Sequence, residues 1–306
     1  MPTSLTLANG DLEIVVLPEC GGAISEASYK GIQFMARPPR PAVGPVELGN
    51  EEDWVRAWNG GWQPLLPNAG GEHREGKYPQ GFHGNASQSP WTVEQVSPDE
   101  VILSWQGEEL KSTRKVKIMS DQITLSGLLE NLSDLPREFI LTEHVIFGDL
   151  LLSESVTLAL NEEAKFMELD YDGSINGALF RPWREMARSD WSTVTKDTPA
   201  RLGLLANVDS SGVSIVGENL TATLLWDTET LPYAWIWEEM GATQADPWNG
   251  QYFCLGIEPS TAPHGAGLGE SIRTGTATTL EPHTTFHWWV ALKLASTSMG
   301  ERNDFV

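Results

Sequence analysis

The sequence predicts an all-β protein, a sandwich or barrel of antiparallel strands. Three observations predict it. The dominant hydrophobic period is two rather than 3.6. The apolar runs are short, rich in β-branched and aromatic residues, and bounded by Gly, Pro, Asn or Asp. No linker, charge run or fixed repeat divides the 306 residues, so one domain spanning residues 1–306 is expected, with a frayed tail after Lys293.

Taken in chain order, the strand runs are DLEIVVLP (11–18), VILSWQG (101–107), KVKIMS (115–120), QITLSGLLEN (122–131), GVSIVGE (212–218), TATLLWD (221–227), YAWIWE (233–238), YFCLGIE (252–258) and FHWWVALKL (286–294). QITLSGLLEN alternates better as a strand ending at Asn131 than as a helix. In YAWIWEEM, Tyr233, Trp235 and Trp237 fall on one face and Ala234 and Ile236 on the other. Two stretches are poor in strand signal, residues 36–91 and 161–200. The first contains GWQPLLPNAGGEHREGKYPQGFHGNASQSPW (61–91), which has too much Gly, Pro, Asn and Gln for a core helix and too many aromatic rings for a disordered segment. A long loop of that kind in a compact domain is expected to carry function.

Composition excludes several classes. A formal net charge of −22 opposes nucleic acid and anionic membrane surfaces, which need clustered Lys and Arg. It suits a neutral polar small molecule better than an anionic one. Neither an n-region with an apolar h-region nor a bilayer-length apolar run is present, so a soluble cytoplasmic protein is expected. Cys20 and Cys254 form no CxxC pair and read as buried free thiols. HExxH, GxxxxGK[ST], GxSxG and a strand–turn–helix GxGxxG are absent, so neither a metal nor another cofactor is expected.

Isolated acid–base groups remain. His83 lies in GFHGN, where glycines on both sides allow a ligand to approach closely. His144 lies in LTEHVIFGD, and Glu258 closes the apolar strand CLGIE. A carboxylate at a strand end is partly desolvated, which raises its pKa toward that of a useful base, and histidine is its natural partner near neutral pH. Tryptophan is abundant, with Trp54, Trp58, Trp62, Trp91, Trp183, Trp226, Trp235 and Trp237 in loops or near strand ends. Aromatic walls with a few polar groups match a sugar, which has apolar C–H faces and polar edges.

These pieces resemble the aldose 1-epimerase (galactose mutarotase-like) superfamily. LPECGGAISEASYKGIQFM resembles its N-terminal hairpin, NGGWQPLLPNAG with GFHGNASQSPW its glycine-rich segment and first histidine element, LTEHVIFGD its second, and CLGIEPST its glutamate strand, in the family's order. The resemblance implies a large two-sheet antiparallel β-sandwich and an isomerase that interconverts sugar anomers. Glu258 would be the base and His144 the acid. His83, Gln63, Asn68, Asp227, Trp62 and Trp237 would bind the sugar. Glu143 stands where the family usually has Asn, and no arginine is obvious where many members place one, Arg56 and Arg74 being outside choices. Asp170 and Asp172 stand behind Asp227 as the sugar-binding aspartate. Few basic residues flank the site, so an unphosphorylated sugar is the expected partner, with no nucleic acid or membrane and a monomeric or homodimeric chain. The competing readings are a non-catalytic carbohydrate-binding protein and a glycoside-processing enzyme or lyase on the same fold. A hydrolase would need a second carboxylate facing Glu258, for which Asp227 is the candidate.

Overall fold

The computed structural model describes residues 4–46, 48–148, 151–152, 155–186 and 190–297. Among these, two large antiparallel sheets pack face to face. The first runs in the order Leu5–Asn9, Leu12–Leu17, Ala23–Tyr29, Trp62–Leu65, Thr142–Phe147, Phe253–Ser260, Tyr233–Met240, Arg201–Ala206, Lys165–Leu169 and Arg181–Pro182, with Ile32–Gln33 paired to Ala23–Tyr29. The second runs Thr193–Val194, Val156–Ala159, Val213–Val216, Leu220–Trp226, Thr285–Ser296, Gln122–Asn131, Leu110–Met119, Glu100–Gly107 and Thr92–Val96. This is the two-sheet antiparallel sandwich that the resemblance implies.

Every run identified from alternation forms a strand. QITLSGLLEN is a strand over all ten residues because it pairs on both edges, with Leu110–Met119 and Thr285–Ser296. The last strand reaches Ser296, past the expected end at Lys293, because Leu294, Ala295 and Ser296 still pair with Ala222, Thr221 and Leu220.

The pleat of the first sheet builds two different cores. Val145, Ala234, Ile236, Leu255 and Ile257 face the second sheet and meet Val116, Leu125, Leu224 and Val290. Their neighbours Ile146, Trp235, Cys254 and Leu204 face the other way and pack with Trp54, Val55 and Trp58. The second group comes from the stretch poor in strand signal. Residues 51–57 there form a two-turn helix with Asn50 as its cap, the Asn50 Oδ1 accepting from the Asp53 N–H at 2.9 Å. Glu51, Glu52 and Asp53 occupy its first turn and Arg56 its last, which suits the helix dipole. This helix and the 61–91 segment cover the outer face of the first sheet and leave a cleft there. Both cysteines are free; Cys254 is buried as expected, whereas Cys20, in the turn between Leu12–Leu17 and Ala23–Tyr29, is only half-buried.

Candidate active site

His144 and Glu258 stand on adjacent central strands, Thr142–Phe147 and Phe253–Ser260. The pairing of Val145 with Ile257 sends those two side chains into the inter-sheet core. The pleat then sends His144 and Glu258 to the outer face, side by side. His144 Nε2 lies 4.0 Å from Glu258 Oε1, and both side chains are buried. Gly256 makes room for the carboxylate: a Cβ there would sit 2.4 Å from Glu258 Oε1.

The loop after Trp62–Leu65 supplies His83. Its glutamines and asparagines replace the hydrogen bonds of regular structure. Asn68 Nδ2 donates to the Gly71 and Gly81 carbonyls at 2.8 and 3.0 Å, and its Oδ1 accepts from the Leu268 N–H at 2.7 Å. Asn85 donates to the Pro79 carbonyl at 3.1 Å and to Glu108 at 2.7 Å. Gly70 lies so close to Gly265 that a Cβ would fall 1.6 Å from the Gly265 carbonyl oxygen, so the loop seats backbone on backbone. The Gly70 N–H donates to His83 Nδ1 at 2.9 Å. Nδ1 is therefore an acceptor, and the neutral His83 ring carries its proton on Nε2. The His83 and His144 rings are 5.4 Å apart.

Around these groups lies a cavity of about 330 Å³, walled by Trp54, Trp58, Trp235, Trp237, Trp248 and Phe82. Trp54 stands edge-on to both histidines, at 4.6 Å from His83 and 5.5 Å from His144. Trp237 donates from Nε1 to the Tyr171 hydroxyl at 3.3 Å. Glu51, Glu72 and Asp172 also line it, and among the described residues no Lys or Arg does.

Burial sets the protonation of the floor. It pushes the Glu258 carboxyl up to about 8 and the His144 imidazole down to about 3. His83 is held well below its usual value by burial and, second, by its neighbour His144. At neutral pH all three favour the uncharged form, and one exchangeable carboxyl proton sits beside two neutral imidazoles. Two adjacent proton carriers of opposite kind, in an aromatic pocket, can withdraw a proton from one oxygen and supply one to another. Among the described residues no group of three or more His, Cys, Asp or Glu could hold a metal ion, and no helix is long and apolar enough to cross a membrane.

The structure brings His83, His144, Glu258 and Trp237 together in this cavity and places four other expected ligands elsewhere. Trp62 is fully buried in the inter-sheet core, where its Nε1 donates to Glu143 at 2.7 Å. Gln63 takes the outer face but lines a second cavity, of about 490 Å³, with Cys20, Asn59, Ser87 and Gln88. Asn68 spends its amide on the loop backbone. Asp227 follows a strand of the second sheet, with its N–H on the Trp289 carbonyl, so it faces neither Glu258 nor the cleft. The outside choices separate in the same way. Arg56 pairs with Asp246, Arg74 with Glu72 at 3.7 Å, and Asp170 accepts from Ser174, whereas Asp172 lines the cavity. Tyr171, Trp248 and Phe82 also line the cavity and do not stand out in the sequence. The signal available for Tyr171 was its place beside Asp172 in ELDYDG and for Phe82 its place beside His83 in GFHGN; Trp248 carried none beyond being an aromatic residue in a loop.

A family described as a domain of unknown function (DUF4432) matches residues 3–294. No curated protein matches. Solved structures share the fold. A galactose mutarotase related enzyme from Lactobacillus acidophilus superposes with a TM-score of 0.71 at 15% identity, covering 97% of this chain and 99% of that one. A galactose mutarotase-like protein from Clostridium acetobutylicum gives 0.69 at 16%, covering 96% and 95%. A GalM/aldose epimerase homologue from C. elegans gives 0.67 at 13%, covering 97% and 100%.

Proposed function

Because the chain belongs to the DUF4432 family and has the galactose mutarotase-like fold, we propose that it is a single-domain sugar mutarotase, an isomerase that interconverts the anomers of an unphosphorylated sugar. The observation that carries this reading is the buried pair of His144 and Glu258, 4.0 Å apart on the floor of an aromatic cavity. Mutarotation moves one proton from the anomeric hydroxyl to the ring oxygen as the C1–O5 bond opens. The reverse transfer, after rotation about C1–C2, closes the ring on the other face. In its carboxylate form Glu258 takes the hydroxyl proton, and His144 serves the departing ring oxygen as the acid. On opening, Glu258 gains a proton and His144 gives up the one on Nε2; the reverse transfer on closure returns both, so the pair ends the full cycle as it began.

The substrate class follows from the lining. The indole rings of Trp237 and Trp248 offer apolar faces to sugar C–H groups. Glu51, Glu72 and Asp172, with no Lys or Arg among the described lining residues, repel a phosphate or a uronate. A neutral hexose or pentose fits both features.

The test is proton NMR of freshly dissolved α-anomers of glucose, galactose, xylose, arabinose, fucose and rhamnose. One of them should equilibrate faster with protein and lose that acceleration with Glu258→Gln. A sugar that binds without any acceleration would identify a carbohydrate-binding protein instead.

A further inference from the structure

His144 has a second nitrogen, and its surroundings are unusual. Nδ1 is buried with no protein partner. Two other buried polar atoms nearby also lack one, Trp58 Nε1 and Gln63 Nε2, each on a side chain 2% exposed. Gln63 is paired directly with His144 across the two strands, so the side chains share the outer face. The Trp58 ring stands edge-on to the imidazole at 6.0 Å. Three buried polar atoms without partners, gathered on one face, are the usual setting of an internal water. Trp58 and His144 line the first cavity, and Gln63, the strand neighbour of His144 on the same face, lines the second.

We propose that a buried water bridges Trp58, Gln63 and His144, and that Gln63 is thereby the positioning residue that keeps the His144 proton on Nε2, facing the cleft. The polarity follows from the donors. An indole N–H can only donate, and the unpartnered Gln63 atom is its amide nitrogen. A water accepting from both has used its two lone pairs. It must then present hydrogen to its third partner, which makes His144 Nδ1 an acceptor. The neutral ring consequently carries its proton on Nε2, the nitrogen beside Glu258. The Gly70 N–H imposes the same tautomer on His83 directly. Both imidazoles would thus offer an N–H to a sugar oxygen. The catalytic meaning of this wiring rests on the mutarotase reading; the tautomer itself does not.

The test uses full-length protein labelled with 15N-histidine and long-range proton–nitrogen spectra without sugar, with His144→Gln to assign the signal. Wild type should show His144 protonated on Nε2. Gln63→Glu places an acceptor where the donor stood and should move the proton to Nδ1. Trp58→Phe removes the other donor and should give mixed tautomers. His83 should remain Nε2-protonated in both, which reports a native fold. A wild-type His144 protonated on Nδ1, or a tautomer unchanged in the correctly folded variants, overturns the proposal. If mutarotation is confirmed, Gln63→Glu should lower kcat at least about tenfold with KM held, since a wrong tautomer can cost up to about 10⁴-fold. If no sugar is turned over, the tautomer result stands unaffected.

Discussion

Glu143 sits one residue before His144, fully buried, and its replacement by alanine tests what holds the catalytic strand in place. Its carboxylate accepts from Trp62 Nε1 at 2.7 Å, Arg114 Nη2 at 2.7 Å and Trp288 Nε1 at 2.8 Å. Arg114 and Trp288 belong to the second sheet, so this cluster ties the two sheets together directly beneath His144. Gly127 lets the Trp288 ring lie flat, because a Cβ there would fall 2.0 Å from Cζ2. Glu143→Ala leaves a guanidinium with 0% exposure facing no charge. Breaking a buried pair in this way costs about 3–5 kcal/mol. Each orphaned indole N–H adds about 1–3 kcal/mol. The terms overlap, and about 5 kcal/mol is the lower working figure, a large share of the 5–15 kcal/mol typical of a whole domain. Urea denaturation followed by tryptophan fluorescence measures the loss. The double variant Arg114→Met with Glu143→Leu removes both charges and should recover roughly 3 kcal/mol of it, because an apolar pair carries no desolvation penalty. A single-variant loss below about 1 kcal/mol, or a double variant less stable than the single, would refute the clamp.

Other consequences can be measured in parallel. Gly256→Ala puts a methyl carbon 2.4 Å from Glu258 Oε1 and 2.9 Å from Ile146 Cδ1, so turnover should fall at least about tenfold, with an overpacking cost of about 1–3 kcal/mol in the same urea assay. Asn68→Ala removes two hydrogen bonds to loop carbonyls and one from the first N–H of the helix Leu268–Thr274, and should cost about 2–3 kcal/mol, with faster hydrogen exchange at Gly70 and His83. Stability should depend on pH in a defined way. Glu258 holds its proton up to about pH 8 when folded and loses it above the ordinary carboxyl value when unfolded, so its contribution falls as pH rises through that window. His144, held at about 3, acts oppositely up to about 6.5, which leaves pH 6.5–8 to Glu258 alone within the pair. Wild-type stability should therefore fall relative to Glu258→Gln across that interval, by up to about 2 kcal/mol. The base-dependent rate should rise over the same interval as the carboxylate forms.

Much of this fold was legible because strands announce themselves by alternation. Each of the runs quoted from the sequence is a strand, and Tyr233, Trp235 and Trp237 share one face with Ala234 and Ile236 on the other. Alternation says which residues share a face but not which face meets the cleft. Trp62 therefore reads as a sugar wall from the sequence although it belongs to the inter-sheet core. Nor does it tell the sheets apart, so Asp227 reads as a ligand although the strand it follows lies in the other sheet. The helix Glu51–Ala57 escaped because seven residues carry almost no period, and its only cues were Asn50 and the acidic first turn. Asn68 illustrates a different limit. An asparagine in a glycine-rich loop has the chemistry for a sugar hydroxyl and equally for three backbone groups, and only the folded loop shows that the backbone has claimed it.

The neighbours Glu143 and His144 show how one strand serves both faces. The pleat sends a paired carboxylate inward, where the arginine and two indoles donate to it, and sends an incompletely paired imidazole outward. Three donors and full burial make Glu143 a rigid anchor out of a ligand's reach. Incomplete pairing leaves His144 and Glu258 able to exchange protons, at the expense of burying groups that prefer water. Rigidity behind and unsatisfied polarity in front is what a pre-organised acid–base pair requires. An acidic residue before the histidine, the position at which this chain departs from the asparagine of the families it resembles, is therefore coupled to Arg114 across the sandwich. A return to asparagine at 143 alone should behave like the alanine variant, and Glu143→Asn with Arg114→Met should behave like the apolar double variant.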